Sequence, residues 1–207
     1  MKEENINTKL KIQQEALRLF AQRGYKAVSI RDICKEVGIK ESSIYYHYKN
    51  KQAILDAILN QTEELMDQMK TRFNQVFEKI QHVEEEAFCK VAVAFLEGYL
   101  LNETMYPLIK MLAIERFSDQ KAAAIYQKLL FQVPLEGQEK IFKEMMDRQF
   151  IREDEPSVLA YNYYAIIYFA FERNCLMTQC EAQHKEQAAL EITINMSKFF
   201  RGITCHD

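Results

Sequence analysis

Between residues 40 and 51 the chain lines up hydrogen-bonding side chains of one general kind: Lys40, Ser42, Ser43, Tyr45, Tyr46, His47 and Lys51, with Ser29 a little upstream. Ammonium, hydroxyl, phenol and imidazole groups in one short stretch suit the phosphates and base edges of nucleic acid. They do not suit catalysis. The chain holds no paired carboxylates for acid–base work, no nucleophile motif and no Gly-rich phosphate loop. No catalytic residue is expected, and for His47 a groove contact outweighs a role as general base.

Two short helices must position these groups. Ser29 to Gly38 reads as one, with Ser29 as N-cap, Asp32 as a weak capping-box partner and Gly38 supplying the turn. Ile30, Ile33, Cys34 and Val37 form its apolar stripe. The second, Ser42 to Tyr48, turns Ile44 and Tyr48 inward and leaves Lys40, Ser42, Ser43, Tyr46 and His47 outside. An earlier helix from about Thr8 to Arg23, apolar at Ile12, Ala16, Leu19 and Phe20 and ended by Gly24, completes a three-helix head. Two helices joined by a tight Gly-containing turn form a helix-turn-helix, whose second helix enters the major groove.

Lys51 adds a separate clue. Asn50 reads as the N-cap of a fourth helix, and a lysine in a first turn faces the positive end of the helix dipole. A phosphate at that helix start would reverse the penalty, so Lys51, Tyr45 and the Ser29 helix start are read as phosphate-holding groups. A solvated surface lysine is the bland alternative.

Phe20-Ala-Gln-Arg-Gly-Tyr25, Ser29-Ile-Arg-Asp-Ile33, Val37-Gly-Ile39 and Ile44-Tyr-Tyr-His-Tyr-Lys-Asn-Lys51 together resemble the N-terminal signature of the tetracycline-repressor (TetR) family. Beyond them the likeness rests on helix layout and on Gln149-Phe-Ile-Arg-Glu-Asp-Glu-Pro156, similar to the acidic link before the long penultimate helix of such proteins. Two positions depart from the pattern: Ser42 stands where many members have Gly, and Glu41 puts an acid beside the groove. Both bear on base preference rather than on binding mode. The resemblance implies a homodimer whose two heads meet the half-sites of a palindromic operator on double-stranded DNA.

Composition agrees. The 207 residues include only 5 Gly and 3 Pro, which favours long helices over a many-turned β fold. The net charge of −3 is unevenly divided: residues 1–51 hold 11 basic against 6 acidic side chains, and the remainder 16 against 24. A basic head on an acidic body suits phosphate contact at one end only. Met1-Lys-Glu-Glu-Asn-Ile lacks the apolar core of a signal peptide. The most apolar run, Val158 to Phe171, falls short of the roughly 20 residues of a membrane span. Five cysteines (Cys34, Cys89, Cys175, Cys180 and Cys205) without framework spacing suit a reducing cytoplasm. The spacing Cys175, Cys180, His184 does not match the short gaps of a zinc site, so neither metal nor cofactor is expected.

The body, residues 51–207 after a head of residues 1–50, reads as helices throughout: about Lys51 to His82, Glu84 to Leu101, Pro107 to Phe117, Asp119 to Phe131, Gln138 to Phe150 after a turn at Val133–Gly137, Pro156 to Thr178, and Lys185 to Arg201 stopped by Gly202. The fold class is all-α with about nine or ten helices. The last two helices are apolar on more than one face, which a two-fold partner would cover, with Tyr161, Ile194 and Phe200 as candidate seam residues. A Tyr- and Met-rich interior offers Tyr99, Tyr106, Met111, Tyr126, Tyr164 and Tyr168 as candidate lining for a mainly apolar or aromatic effector. The reading is a cytoplasmic, ligand-responsive DNA-binding transcription regulator, a repressor first. The alternative is a DNA-binding protein of the same fold without an inducer.

Overall fold

In the computed structural model, residues 2–177 and 180–204 are described, with residues 2–6, 66, 69, 70, 72–74 and 76 given by backbone alone. All regular structure among them is helical: α1 (Lys2–Arg23), α2 (Ile30–Val37), α3 (Glu41–Ile44), α4 (Lys51–Phe77), α5 (Glu85–Phe95), α6 (Met105–Glu115), α7 (Gln120–Gln127), α8 (Val133–Asp147), α9 (Pro156–Phe171) and α10 (Ala182–Ile203). π-helical stretches extend α5 over Leu96–Leu100 and α9 over Glu172–Leu176, and a third, Lys128–Gln132, joins α7 to α8.

The chain divides into two compact units. Residues 1–77 and 102–126 make the first, so the expected division at residue 50 falls inside it. Its centre is the apolar stripe of α1, with Ile12, Ala16, Leu19 and Phe20 almost wholly buried together with Ile33, Ile44, Ile54 and Ile58. Burying each large side chain of that set stabilises by about 1.5–3 kcal/mol. α6 lies along α1 in the same unit. Residues 78–101 and 127–207 make the second, where α10 packs on α5 and α9, and α8 packs on α9. An aromatic cluster fills it: Phe88 lies 5.0 Å from Phe200 and 5.4 Å from Tyr163, and Phe142 lies 5.7 Å from Tyr163.

Several expected boundaries move. The turn expected at Val133–Gly137 is helical. Pro134 falls in the first turn of α8, and the wider π turn before it spares the bond its missing N–H would have made. Gly202 does not stop α10, which runs on to Ile203, because Gly permits a left-handed turn without requiring one. α1 begins at Lys2 rather than Thr8, and α4 ends at Phe77 rather than His82. Thr178, the expected end of the helix from Pro156, lies outside the described residues, as does Cys205.

Candidate nucleic-acid interface

The α2–α3 pair is built from local signals. The Ser29 hydroxyl accepts from the Asp32 N–H at 3.1 Å, and the Ser29 N–H donates to Asp32 Oδ2 at 2.8 Å, so a full capping box opens α2. The Ser29 bonds hold the Asp32 carboxyl below its ordinary pKa. At the other end Gly38 takes φ +80°, and its N–H donates to the Cys34 carbonyl at 2.9 Å. Lys11 of α1 reaches the Val37 carbonyl at 3.0 Å, a cation on the negative end of the α2 dipole. Ile33, Cys34 and Val37 are buried as the stripe requires, whereas Ile30 is half-buried.

α3 is shorter than its sequence suggests. The helix covers Glu41–Ile44, and Tyr45 to His47 lie in the turn after it. The Tyr46 and His47 N–H groups bond three residues back, to Ser43 and Ile44, which tightens the last turn. Ile44 and Tyr48 are buried as expected, and the Tyr48 phenol accepts a 2.7 Å bond from Gln13 of α1. Lys40, Ser42, Tyr45 and Tyr46 are exposed, with Tyr46 at 88%, while Ser43 and His47 are half-buried. One exposed surface therefore carries six of the eight residues proposed for DNA contact. Glu41, the acid beside it, lies 3.6 Å from the exposed Arg31 guanidinium of α2. Arg31 is an exposed cation at the start of α2 that the sequence pattern did not single out, although its place two residues after the N-cap was a usable signal.

The other two residues are engaged inside the head. The Ser29 hydroxyl is spent in the capping box. Lys51 donates to the carbonyls of Tyr25 and Val28, each at 2.7 Å, and its ammonium sits 4.3 Å from the centre of the Tyr25 ring. Burial lowers its pKa, and Glu115 works against that. Two of its three donors thus close the α1–α2 loop. Asn50 caps α4 as expected, accepting from the Ala53 N–H at 2.8 Å.

The same loop is held from α6. The Glu115 carboxylate, 9% exposed, accepts from the Lys26 N–H at 3.3 Å and lies 3.8 Å from the Lys26 ammonium, which also donates to the Ser118 hydroxyl at 3.0 Å. No local pattern announces Glu115. A groove of about 420 Å³ runs between α1, α4 and the start of α6, with Leu10, Leu17, Ile58, Tyr106 and Pro107 among its lining residues.

The six candidate effector residues divide between the units. Tyr106, Met111 and Tyr126 belong to the first; of these Tyr106 lines the groove, Met111 is buried, and Tyr126 is buried with the Arg116 guanidinium 4.3 Å from its ring. Tyr99, Tyr164 and Tyr168 belong to the second. There Tyr99, its pKa raised by burial, donates to the Leu129 carbonyl at 2.7 Å, and Tyr168 donates to Glu172 at 2.8 Å. The rings of Tyr164 and Tyr168 are 6.0 Å apart. Of the candidate seam residues, Tyr161 is 66% and Ile194 50% exposed, while Phe200 packs into the core of its own unit. Val158 and Phe169 on α9 and Leu190 on α10 join the exposed apolar set, and the spacing of Phe169 from Tyr161, eight residues on, was the signal for it.

Residues 12–58, the capped α2–α3 pair with the helices that hold it, match the family model described as bacterial regulatory proteins, tetR family. The match lies in the head and spans less than a quarter of the chain, and over that stretch the chain is similar to the family. The chain is 48% identical over 44 residues to the biofilm operon icaADBC HTH-type negative transcriptional regulator IcaR of Staphylococcus epidermidis, a stretch covering 21% of the chain and 24% of that protein. Over 65 residues it is 34% identical to the HTH-type transcriptional repressor KstR2 of Mycolicibacterium smegmatis, covering 31% of the chain and 30% of the repressor. The chain therefore matches less than a third of the length of these relatives. A solved structure from Mesorhizobium loti, assigned to the TetR family, shares the fold over 97% of this chain and 98% of its own, with a TM-score of 0.74 at 15% identity. No helix among the described residues is long and apolar enough to cross a membrane.

Proposed function

We propose that this chain is a sequence-specific DNA-binding transcription regulator and acts as a repressor. The observation that carries the reading is the exposed surface of α3 and its following turn, where Tyr46 is 88% exposed beside an exposed Tyr45 while Ile44 and Tyr48 are buried in the head. Lys40, Ser42, Ser43, Tyr46 and His47 face the major groove and Tyr45 a phosphate, with Lys51 and Ser29 fixing the backbone that presents them. The names of IcaR and KstR2, a negative regulator and a repressor, support the sign of the effect.

The regulator works as a cytoplasmic homodimer on a palindromic operator, its exposed apolar faces on α9 and α10 supporting a two-fold seam. A small, mainly apolar or aromatic effector releases it by binding the DNA-incompetent state more tightly, and linkage makes that effect reciprocal. The groove beside α1, whose lining mixes Leu10, Leu17 and Ile58 with Gln13, Arg18 and Lys110, supports a small-molecule response over an inducer-free DNA-binding protein of the same fold.

A gel shift with the DNA upstream of the protein's own coding sequence tests the reading. Tyr46→Ala and His47→Ala should each weaken binding by about 1–3 kcal/mol at the operator while leaving oligomeric state unchanged. Two variants that bind as the parent does would remove α3 and its turn from the groove.

A further inference from the structure

The groove beside α1 lies wholly within the first unit, and its volume of about 420 Å³ suits a small organic molecule. Its apolar lining runs from Leu10, 43% exposed, to the buried Leu17 and Ile58. Three charged side chains join that lining: Arg18, Glu103 and Lys110. They are not equally available. Arg18 is spent on Glu15, at 2.8 Å, and on Glu36 of α2. Glu103 is exposed and precedes α6. Lys110 is partly buried, its ammonium 5.6 Å from the centre of the Tyr106 ring, and it makes no hydrogen bond or ion pair among the described residues. The first turn of α6, the positive end of its dipole, also lines the groove and carries no acid.

We propose that this groove binds a small organic anion with an apolar body, its charge held by Lys110 and its body laid against Leu10, Leu17 and Ile58. A neutral apolar molecule would cover the same side chains but leave the Lys110 ammonium, already partly out of water, with no acceptor. A cation would meet both Lys110 and the positive end of α6. Glu103 offsets little of that, because an exposed carboxylate is screened by solvent. An anion alone uses the apolar wall and the unspent charge together.

The site is joined to the reading surface by two of its own lining residues. Gln13 donates to the phenol oxygen of the buried Tyr48 at 2.7 Å, one residue beyond His47, and Arg18 ties α1 to Glu36 of α2. A molecule in the groove therefore touches the side chains that hold α2 and the turn after α3 onto α1. This consequence rests on the chain being a DNA-binding regulator. On that reading the anion favours whichever arrangement of the turn binds it more tightly, and DNA changes the affinity for the anion by the same factor.

Two dyes built on one aromatic skeleton test the site on the full chain: 8-anilinonaphthalene-1-sulfonate, an anion, and N-phenyl-1-naphthylamine, which is neutral. Fluorescence titration of Lys110→Met should show the sulfonate weakened about fivefold and the neutral dye unchanged. Leu10→Asp should weaken both dyes, and Val91→Asp, at an exposed position on α5 in the other unit, neither. In the parent, saturating sulfonate should slow acetylation of Lys110 by acetic anhydride while the exposed Lys140 of α8 reacts as before. Lys110 acetylated equally fast with and without the dye overturns the proposal, and that readout needs no variant to fold. So does a Lys110→Met chain that loses both dyes alike or keeps the sulfonate at parental affinity. No DNA enters these measurements, so a failed gel shift would count against the regulator and not against the site.

Discussion

Gly24 and Glu115 face each other so closely that a Cβ on the glycine would lie 2.7 Å from the carboxylate oxygen Oε1. Gly24 also takes φ +80°, ending α1 in the left-handed region. The contact places a buried acid of α6 against the loop leading into α2 and α3, and it lets the Lys26 N–H and ammonium close on that acid.

Gly24→Ala should therefore cost more than the roughly 1–2 kcal/mol of left-handed backbone strain. Gly38, at the same φ but with open space around its Cβ position, is the internal control. Thermal denaturation of G24A and G38A should show the larger loss in G24A, and adding Glu115→Ala should recover part of the difference. Equal losses in the two glycine variants would mean that α6 yields to the methyl group at no cost.

Lys51→Gln should act first on stability. Its ammonium makes two charge-assisted bonds to backbone carbonyls, each worth about 1.5–3 kcal/mol. A lower melting temperature without DNA, and a salt slope of log affinity changed by less than about one unit, are expected. An unchanged melting temperature with the slope reduced by a full unit would instead make Lys51 a direct phosphate contact.

Charge on the exposed faces should separate subunits without unfolding them. Tyr161→Glu and Ile194→Glu are expected to sediment as folded monomers that lose tight operator binding, because two tethered heads bind at high effective concentration. Phe200→Glu should behave differently. Its ring lies 5.0 Å from Phe88 in a buried cluster, so an unpaired carboxylate there is expected to unfold the subunit, as circular dichroism would report. A monomeric parent at micromolar concentration that still binds a palindrome tightly would remove the two-fold model.

Acid should loosen α10 from α5 through Glu85. The Arg201 guanidinium first, then the Ser197 hydroxyl, holds the Glu85 carboxyl down to about 2 from an ordinary 4.5. A depressed carboxylate contributes stability that is complete above its ordinary pKa and is lost as pH falls through the folded value. The loss should run between about pH 4.5 and about 2, and Arg201→Gln, lacking the main partner, should begin losing less on acidification because less is there to lose. Urea midpoints measured across that range for parent and R201Q would show it, and parallel curves would deny the Glu85 tie any part in acid stability.

The head was legible in the sequence because its signals are local. A cap, its reciprocal acid, a left-handed glycine and apolar residues three and four apart act within one turn of helix, so Ser29, Asp32, Gly38, Ile33 and Ile44 announce themselves. The same holds for the chemistry of the exposed face, since a surface polar residue is what remains when the core positions are assigned. Tertiary structure decided what depends on partners distant in the chain. It turned Lys51 inward to two carbonyls more than twenty residues before it and brought Glu115 to Lys26. It also sank Phe200 while leaving Tyr161 and Ile194 outside. On α9, apolar nearly all round, periodicity cannot say which side faces the core. Only the positions of α8 and α10 pick the buried side, because each apolar stripe is covered by whichever neighbour the packing supplies.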